Sequence, residues 1–239
     1  MRKSVAYNIY MKTDFFRKKA FILAGILSIA TVISGIFYAH ALIRAVEVNI
    51  GESFYFLISE EENVAASAEE VYLDGGAGYV MSRGRTNYAV YSCYFTETDA
   101  KTVRNNLNDK DIPSSVIEES VSVLYLKKRS EKQNAEKLSG CFSTLSSCIH
   151  LLYDIANKAE TGEYTQQTLR RTLSSVGGVL SCLAEENSGG IFTDISACAA
   201  QAALMAEEII RGTIYAKDIR YLQVYLCDSY LLLASEFSI

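Results

Sequence analysis

The sequence predicts an α+β protein in three parts: an N-terminal transmembrane helix, a small domain of mixed strands and helices, and a C-terminal antiparallel helical bundle. Three observations support this division. Residues 20–43 are continuously apolar, residues 52–124 repeat a strand-helix-strand order, and residues 126–239 keep a helical spacing of apolar side chains. The 239-residue chain is 49% hydrophobic and 21% charged, which is ordinary globular usage and argues against long disorder.

The first part, residues 20–43, reads AFILAGILSIATVISGIFYAHALI and carries no formally charged side chain. A helix of about 20 apolar residues crosses the hydrocarbon core of a bilayer with its backbone hydrogen bonds satisfied internally. Six Lys or Arg residues precede the segment, whereas one Arg and a run of Glu follow it. The positive-inside rule therefore makes residues 1–19 a cytoplasmic basic arm and places the later residues outside the cytoplasm, in a single-pass arrangement.

Two alternatives to a permanent anchor exist. Residues 38–41, Tyr-Ala-His-Ala, resemble the small-residue cleavage site of a signal peptide, but the apolar stretch and the basic arm are both longer than in usual signals. A buried core helix is the other alternative, and so much unbroken apolar length is rare in soluble folds. His40, near the outer end of the segment, is read as an incidental polar end instead of a proton relay.

The second part contains a duplicated unit. Residues 54–58 predict a strand, residues 61–73 a helix that stops at the glycines of 75–78, and residues 79–82 a second strand. The order then recurs as a strand at 88–95, a helix at 96–108 capped by Thr96 or Thr98, and a strand from 115 towards 124. Such a β-α-β-β-α-β order is typical of a ferredoxin-like, four-stranded antiparallel sheet with both helices on one face, which leaves the other face for a partner.

Residues 88–95, Tyr-Ala-Val-Tyr-Ser-Cys-Tyr-Phe, with the Asp99-Ala100 pair and Leu107 behind them, resemble one half of a SPOR domain. This peptidoglycan-binding module occurs in bacterial envelope proteins, and residues 54–58 with the following helix resemble its other half. Leu57 replaces a common Gln, and Ser59 and Cys93 stand at two Gly positions. The resemblance covers about residues 52–122, and it implies a sheet face that binds glycan strands stripped of their peptides.

Strand alternation suggests which residues would hold such a glycan. If Phe54 and Phe56 point to the helices, Tyr55 lies on the open face. If Val90 and Ser92 point to the helices, Tyr91 lies on the open face too. Aromatic rings on that face would stack on the C–H faces of sugars. Arg83 and Arg85 in the central turn would reach the rim of that face. The alternative is that these are ordinary strand tyrosines and solvated turn arginines.

The third part shows four amphipathic helices with short turns, which favours an antiparallel bundle. Gly162, the turn at 187–190 and Gly212 separate the helices, and Asp194 is a candidate cap for the third. The bundle would either dock a partner, dimerise, or form a self-contained domain.

Recognised catalytic and metal-binding patterns are missing from the sequence. The six cysteines permit disulfides outside the cytoplasm, but most of the five helical ones lie in apolar stripes, which favours buried thiols. No Cys/His ligand spacing, P-loop or nucleophile motif occurs, and His150 faces a different side of its helix from Cys148. The net charge of −5 argues against nucleic acid. We therefore predict no catalytic residues, no metal and no cofactor.

These observations together predict a membrane-anchored envelope protein that binds peptidoglycan glycan strands during division, sporulation or wall remodelling. The anchor would act by confining the binding domain next to the wall, which raises its effective concentration there. The alternative is a scaffold whose sheet face or helical bundle binds another membrane protein. An enzyme that acts on the wall ranks last, because the paired acidic residues have the pattern of surface charge.

Overall fold

The computed structural model describes residues 46–60, 63–126 and 132–237. The predicted basic arm at 1–19 and transmembrane helix at 20–43 lie outside these ranges. Among the described residues, no helix combines the length and the apolar character needed to cross a bilayer.

The described residues form an α+β structure around one four-stranded antiparallel sheet. Its strands are β1 (Val46–Ser59), β2 (Tyr79–Arg83), β3 (Thr86–Tyr94) and β4 (Ser114–Leu126), arranged in the order β2-β3-β1-β4. Helices α1 (Val64–Leu73) and α2 (Glu97–Asn108) connect them. The predicted element order is confirmed, and Thr96 is the residue that caps α2, through its hydroxyl and the Asp99 backbone N–H at 3.1 Å.

Four helices follow the sheet, as predicted. They are α3 (Lys132–Glu160), α4 (Gln166–Glu186), α5 (Thr193–Arg211) and α6 (Ala216–Phe237). The predicted cap of the third helix is wrong. A 3₁₀ turn at Gly190–Phe192 leads directly into α5, so Phe192 is the N-cap and Asp194 lies in the first helical turn.

The sheet and the C-terminal helices belong to one compact unit, which contains the described residues from 47 to 126 and from 132 to 237. Helix α6 lies against β2, β3 and β4. Phe54 and Phe56 have no exposed surface, and the Phe54 ring meets Tyr230 of α6 edge to face at 5.6 Å. The sheet face that the sequence predicted to be open is therefore covered by α6.

The other face of the sheet carries the tyrosines. Leu57, Ala89 and Tyr91 pack with Val71 of α1 and Ala100 of α2, and Tyr55 packs at the edge of the same cluster. Tyr55 and Tyr91 thus share a face, but it is the face covered by α1 and α2, and the prediction that they point away from these two helices is wrong.

The reason for the reversal lies in what each face packs against. Helix α6 presents large side chains such as Tyr230, whereas α2 fully buries only Ala100. The most apolar row of β1 therefore faces α6. A β-bulge also shifts the β1–β3 register between Leu57 and Ile58, so simple alternation does not hold through β3.

Candidate functional site

A cavity of about 450 Å³ opens on the sheet face that α1 and α2 cover. Leu57 of β1 and Tyr91 and Ser92 of β3 line the cavity on the sheet side. Helices α1 and α2 lie beside these strands. Residues from α3 and α6 complete the lining, so both the sheet part and the C-terminal helices contribute. Its other principal lining residues are Gly75, Gly76, Tyr94, Asp99, Thr102, Val103, Tyr153, Asn157, Glu160 and Arg220.

A glycine turn after α1 shapes one side of the cavity. Gly76 packs so closely on β3 that an added Cβ would lie 2.9 Å from the Tyr91 ring and 2.8 Å from Val71. The next residue, Ala77, donates its backbone N–H to the Tyr91 carbonyl at 2.7 Å. The turn and the bulged part of β3 therefore hold the Tyr91 ring in place.

Three tyrosines supply the aromatic surface of the cavity. The Tyr94 and Tyr153 rings pack edge to face at 6.1 Å, and Tyr91 lies nearby on β3. Burial raises the pKa of Tyr94 to about 12, against the opposing effect of Arg220, and burial also raises the pKa of Tyr153. Both hydroxyls are therefore neutral at pH 7 and able to donate hydrogen bonds.

Arg220 closes one end of the cavity. Its guanidinium forms an ion pair with Glu160 of α3 and donates to the Gly75 carbonyl at 3.2 Å. Three acidic residues (Asp74, Asp99, Glu160) and two basic residues (Lys110, Arg220) are in the complete lining, which gives the cavity a formal charge of −1. With so little net charge, and with Arg220 already paired, the cavity suits a neutral polar ligand better than a polyanion.

The structure separates the four residues that the sequence proposed as one site. Tyr91 lines the cavity. Tyr55 lies on the same sheet face outside the lining, where its hydroxyl donates to Glu118 at 3.4 Å. Arg83 lies on the opposite face, in ion pairs with Glu119 and Asp228, both at 2.5 Å, and Arg85 is exposed in the β2–β3 turn.

Sequence reasoning missed most of the cavity. Tyr94 lies in the strand predicted at residues 88–95, so the strand pattern could have identified it as a candidate. Tyr153, Asn157 and Arg220 come from α3 and α6, and no local spacing connects them to a strand far earlier in the chain. Only tertiary packing brings them to Tyr91.

One other cluster has the side chains of a hydrolase but a different arrangement. The Ser146 hydroxyl donates to Glu52, and the His150 Nε2 lies 3.6 Å from the other Glu52 oxygen. A serine nucleophile needs the imidazole beside it as base, whereas here the carboxylate stands between the two. The His150 ring stacks on Phe95 at 3.8 Å, which gives it a packing role.

Within the ranges that the structure covers, no three or more His, Cys, Asp or Glu side chains are grouped to hold a metal ion. No protein-family model matches the sequence, and searches of curated proteins and of solved structures give no match.

Proposed function

We propose that this chain is a non-catalytic binding protein of the cell envelope, and that the cavity beside Tyr91 binds a segment of peptidoglycan glycan strand. Residues 20–43 would anchor it in the membrane, with residues 1–19 in the cytoplasm and the described unit outside. In this proposal the sheet part is a ferredoxin-like, SPOR-like domain joined to an antiparallel helical bundle. Division, sporulation and wall remodelling are the processes in which such a protein would act.

The observation that carries the proposal is the lining of the cavity. Tyrosine rings offer apolar faces for the C–H side of a sugar ring, and the Asn157 amide and the neutral tyrosine hydroxyls offer hydrogen bonds to its polar edge. The volume of about 450 Å³ falls within the usual range of small-ligand sites. The small net charge of the cavity gives it no strong preference for a charged ligand.

The site proposed here differs from the one that the SPOR resemblance implies. That resemblance places the glycan on the sheet face opposite the helices, and α6 occupies this face in the present structure. The tyrosine-lined cavity, on the face that α1 and α2 cover, is therefore the proposed binding site.

Co-sedimentation with peptidoglycan stripped of its peptides tests the proposal. We expect residues 46–239 to sediment with it, and Tyr153→Ala to weaken binding about tenfold, since loss of one aromatic contact is worth about 1.4 kcal/mol. Tyr153→Phe keeps the ring and should retain most of the binding. Tyr215→Ala is the matched control, because Tyr215 is 56% exposed and outside the cavity lining.

The outcome that contradicts the proposal is equal binding by Tyr153→Ala and the unaltered protein, or no sedimentation by either. Thermal unfolding of each variant must accompany the assay, because the Tyr153 ring also packs against Phe95 at 5.2 Å.

A scaffold that binds another envelope protein is the second candidate. Its support is a set of leucines that are more than half exposed on three different helices: Leu73 at 69%, Leu204 at 56% and Leu232 at 51%. Single exposed leucines are common on protein surfaces, so this observation is weaker than the cavity. Loss of a co-purifying membrane protein in Leu204→Glu or Leu232→Glu, with glycan binding absent from the unaltered chain, would favour the scaffold.

A further inference from the structure

Two buried thiols meet where β3 contacts α6. Cys93 of β3 and Cys227 of α6 both have no exposed surface, and both are free cysteines. Burial, and after it the neighbouring Cys93 thiol, raises the pKa of the Cys227 thiol. The Cys227 thiol lies within hydrogen-bonding reach of the Cys93 thiol, in the contact between α6 and β3, so the two side chains are neighbours in the core although they lie far apart in the chain.

The backbone around the pair is held in a fixed position. Gln223 lies one helical turn before Cys227, so both side chains leave α6 on the same side. The Gln223 Nε2 donates a hydrogen bond of 2.9 Å to the Cys93 carbonyl. This bond fixes α6 beside the residue whose thiol Cys227 faces.

The other cysteines have different surroundings. Cys141 hydrogen-bonds the Asn187 side chain at 3.4 Å, and Cys182 is exposed on α4. Cys198 interacts with Ser229 and Tyr225, and Cys148 lines a separate cavity between α3 and α4. The packing therefore favours one pairing among the many that six cysteines allow.

We propose that Cys93 and Cys227 are a redox pair that closes into a disulfide linking β3 to α6 when the chain folds in the presence of a disulfide oxidant such as oxidised glutathione. One cysteine thiolate attacks the oxidant, forms a mixed disulfide and releases the first glutathione thiol. The second cysteine thiolate then attacks the protein sulfur of that mixed disulfide and releases the second. The two cysteines lose two electrons and two protons, and oxidised glutathione is reduced to two thiols.

Burial determines when this reaction occurs. A thiolate must reach the oxidant, and neither sulfur is accessible once α6 has packed on the sheet. Oxidation should therefore be fast during refolding and slow in the folded, reduced protein. The bond would close a long loop of chain and keep α6 on the sheet, whether or not the cavity binds a glycan.

Refolding the full chain in detergent with reduced and oxidised glutathione tests the pair. We expect a mass loss of about 2 Da relative to the reduced chain, and a single cross-linked peptide pair that contains Cys93 and Cys227. Reduction should lower the Tm by about 10 °C. Cys182→Ala should behave like the unaltered chain, whereas Cys227→Ala should show neither the cross-link nor the change in Tm.

Full alkylation of both Cys93 and Cys227 after oxidative refolding would overturn the proposal, and so would a cross-link from either residue to another cysteine. If Cys227→Ala does not fold, peptide mapping of the unaltered chain decides the question without the variant. Equally fast oxidation of the folded and refolding protein would contradict the claim that burial controls the reaction.

Discussion

At the scale of single residues, the turn after α1 depends on the absence of a side chain. Gly78 has a φ of +65°, and an added Cβ would lie 2.6 Å from the Ala68 carbonyl and 2.7 Å from the Tyr72 Cβ. Its backbone N–H also donates to the Val90 carbonyl at 3.1 Å, which ties the turn to β3. Backbone strain and close packing therefore act together at this one position.

We expect Gly78→Ala to lower the free energy of unfolding by about 2–4 kcal/mol, because it combines an unfavourable φ with a clash against backbone. Gly84→Ala is the matched control. Gly84 has a similar φ of +61° but nothing within 4 Å of an added Cβ, so only about 1 kcal/mol should be lost. Urea denaturation of both variants measures the difference, and equal losses would show that the clash is relieved.

A residue-level pattern also explains why Tyr91 was assigned to the wrong sheet face. Alternation correctly places Phe54 and Phe56 on one face of β1, but α6 covers that face, and α1 and α2 cover the other. Period-two alternation separates the residues of a strand into two sets without saying which set meets which neighbour. The bulge beside Tyr91 is a second feature that alternation alone does not reveal.

At the scale of elements, the junction between the sheet and α6 contains a buried charge network. Asp228 of α6 is almost fully buried and accepts hydrogen bonds from Arg83 at 2.5 Å and from the Tyr79 hydroxyl at 2.7 Å. Arg83 also pairs with Glu119 of β4. Burial, and then the hydrogen bond to Asp228, raises the pKa of Tyr79. Asp228 is thus linked through Arg83 to both edge strands of the sheet, β2 and β4.

We expect Arg83→Met to lower the free energy of unfolding by about 2–4 kcal/mol, since it leaves the Asp228 carboxylate buried without its cation. In a double-mutant cycle with Asp228→Asn, the coupling should be about 1–3 kcal/mol. The Glu97–Lys101 pair on α2 is the control. Both of its side chains are about half exposed, and its coupling should be only a few tenths of a kcal/mol. Similar couplings for the two pairs would contradict the structural role given to Arg83.

At the scale of the whole molecule, α6 makes the sheet and the helices interdependent. Phe54, Phe56 and Met81 have no exposed surface, and the face that β1 contributes is closed by aromatic contacts with Tyr230. The Tyr230 hydroxyl also donates to the Ile50 carbonyl at 2.6 Å. Without α6, these apolar side chains would face water.

We therefore expect residues 46–126 alone to lack a cooperative thermal transition and to bind a hydrophobic dye, whereas residues 46–239 unfold in one step. Near-UV circular dichroism during heating, with dye fluorescence at 20 °C, makes the comparison. A sharp transition in the shorter fragment would show that the sheet part is an independent domain. This dependence on α6 is also the reason for testing glycan binding with residues 46–239.

The sequence by itself determined the elements of this protein. Apolar spacing, glycine turns and a threonine cap at Thr96 or Thr98 are local properties, and they sufficed to predict four strands, the two connecting helices and the four later helices in order. The membrane helix remains a prediction from the apolar length of residues 20–43, and the peptidoglycan ligand remains a prediction from the resemblance of residues 52–122 to a SPOR domain.

Only the tertiary structure decided which faces meet. It placed α6 over Phe54 and Phe56, turned Tyr91 towards α1 and α2, and brought Tyr153 and Arg220 to the same cavity. The pairing of surfaces depends on shape and burial between different segments, some of them as far apart in the chain as Phe54 and Tyr230, and the choice of partner leaves no periodic pattern in either segment. For this reason the candidate site became visible only after the elements were packed.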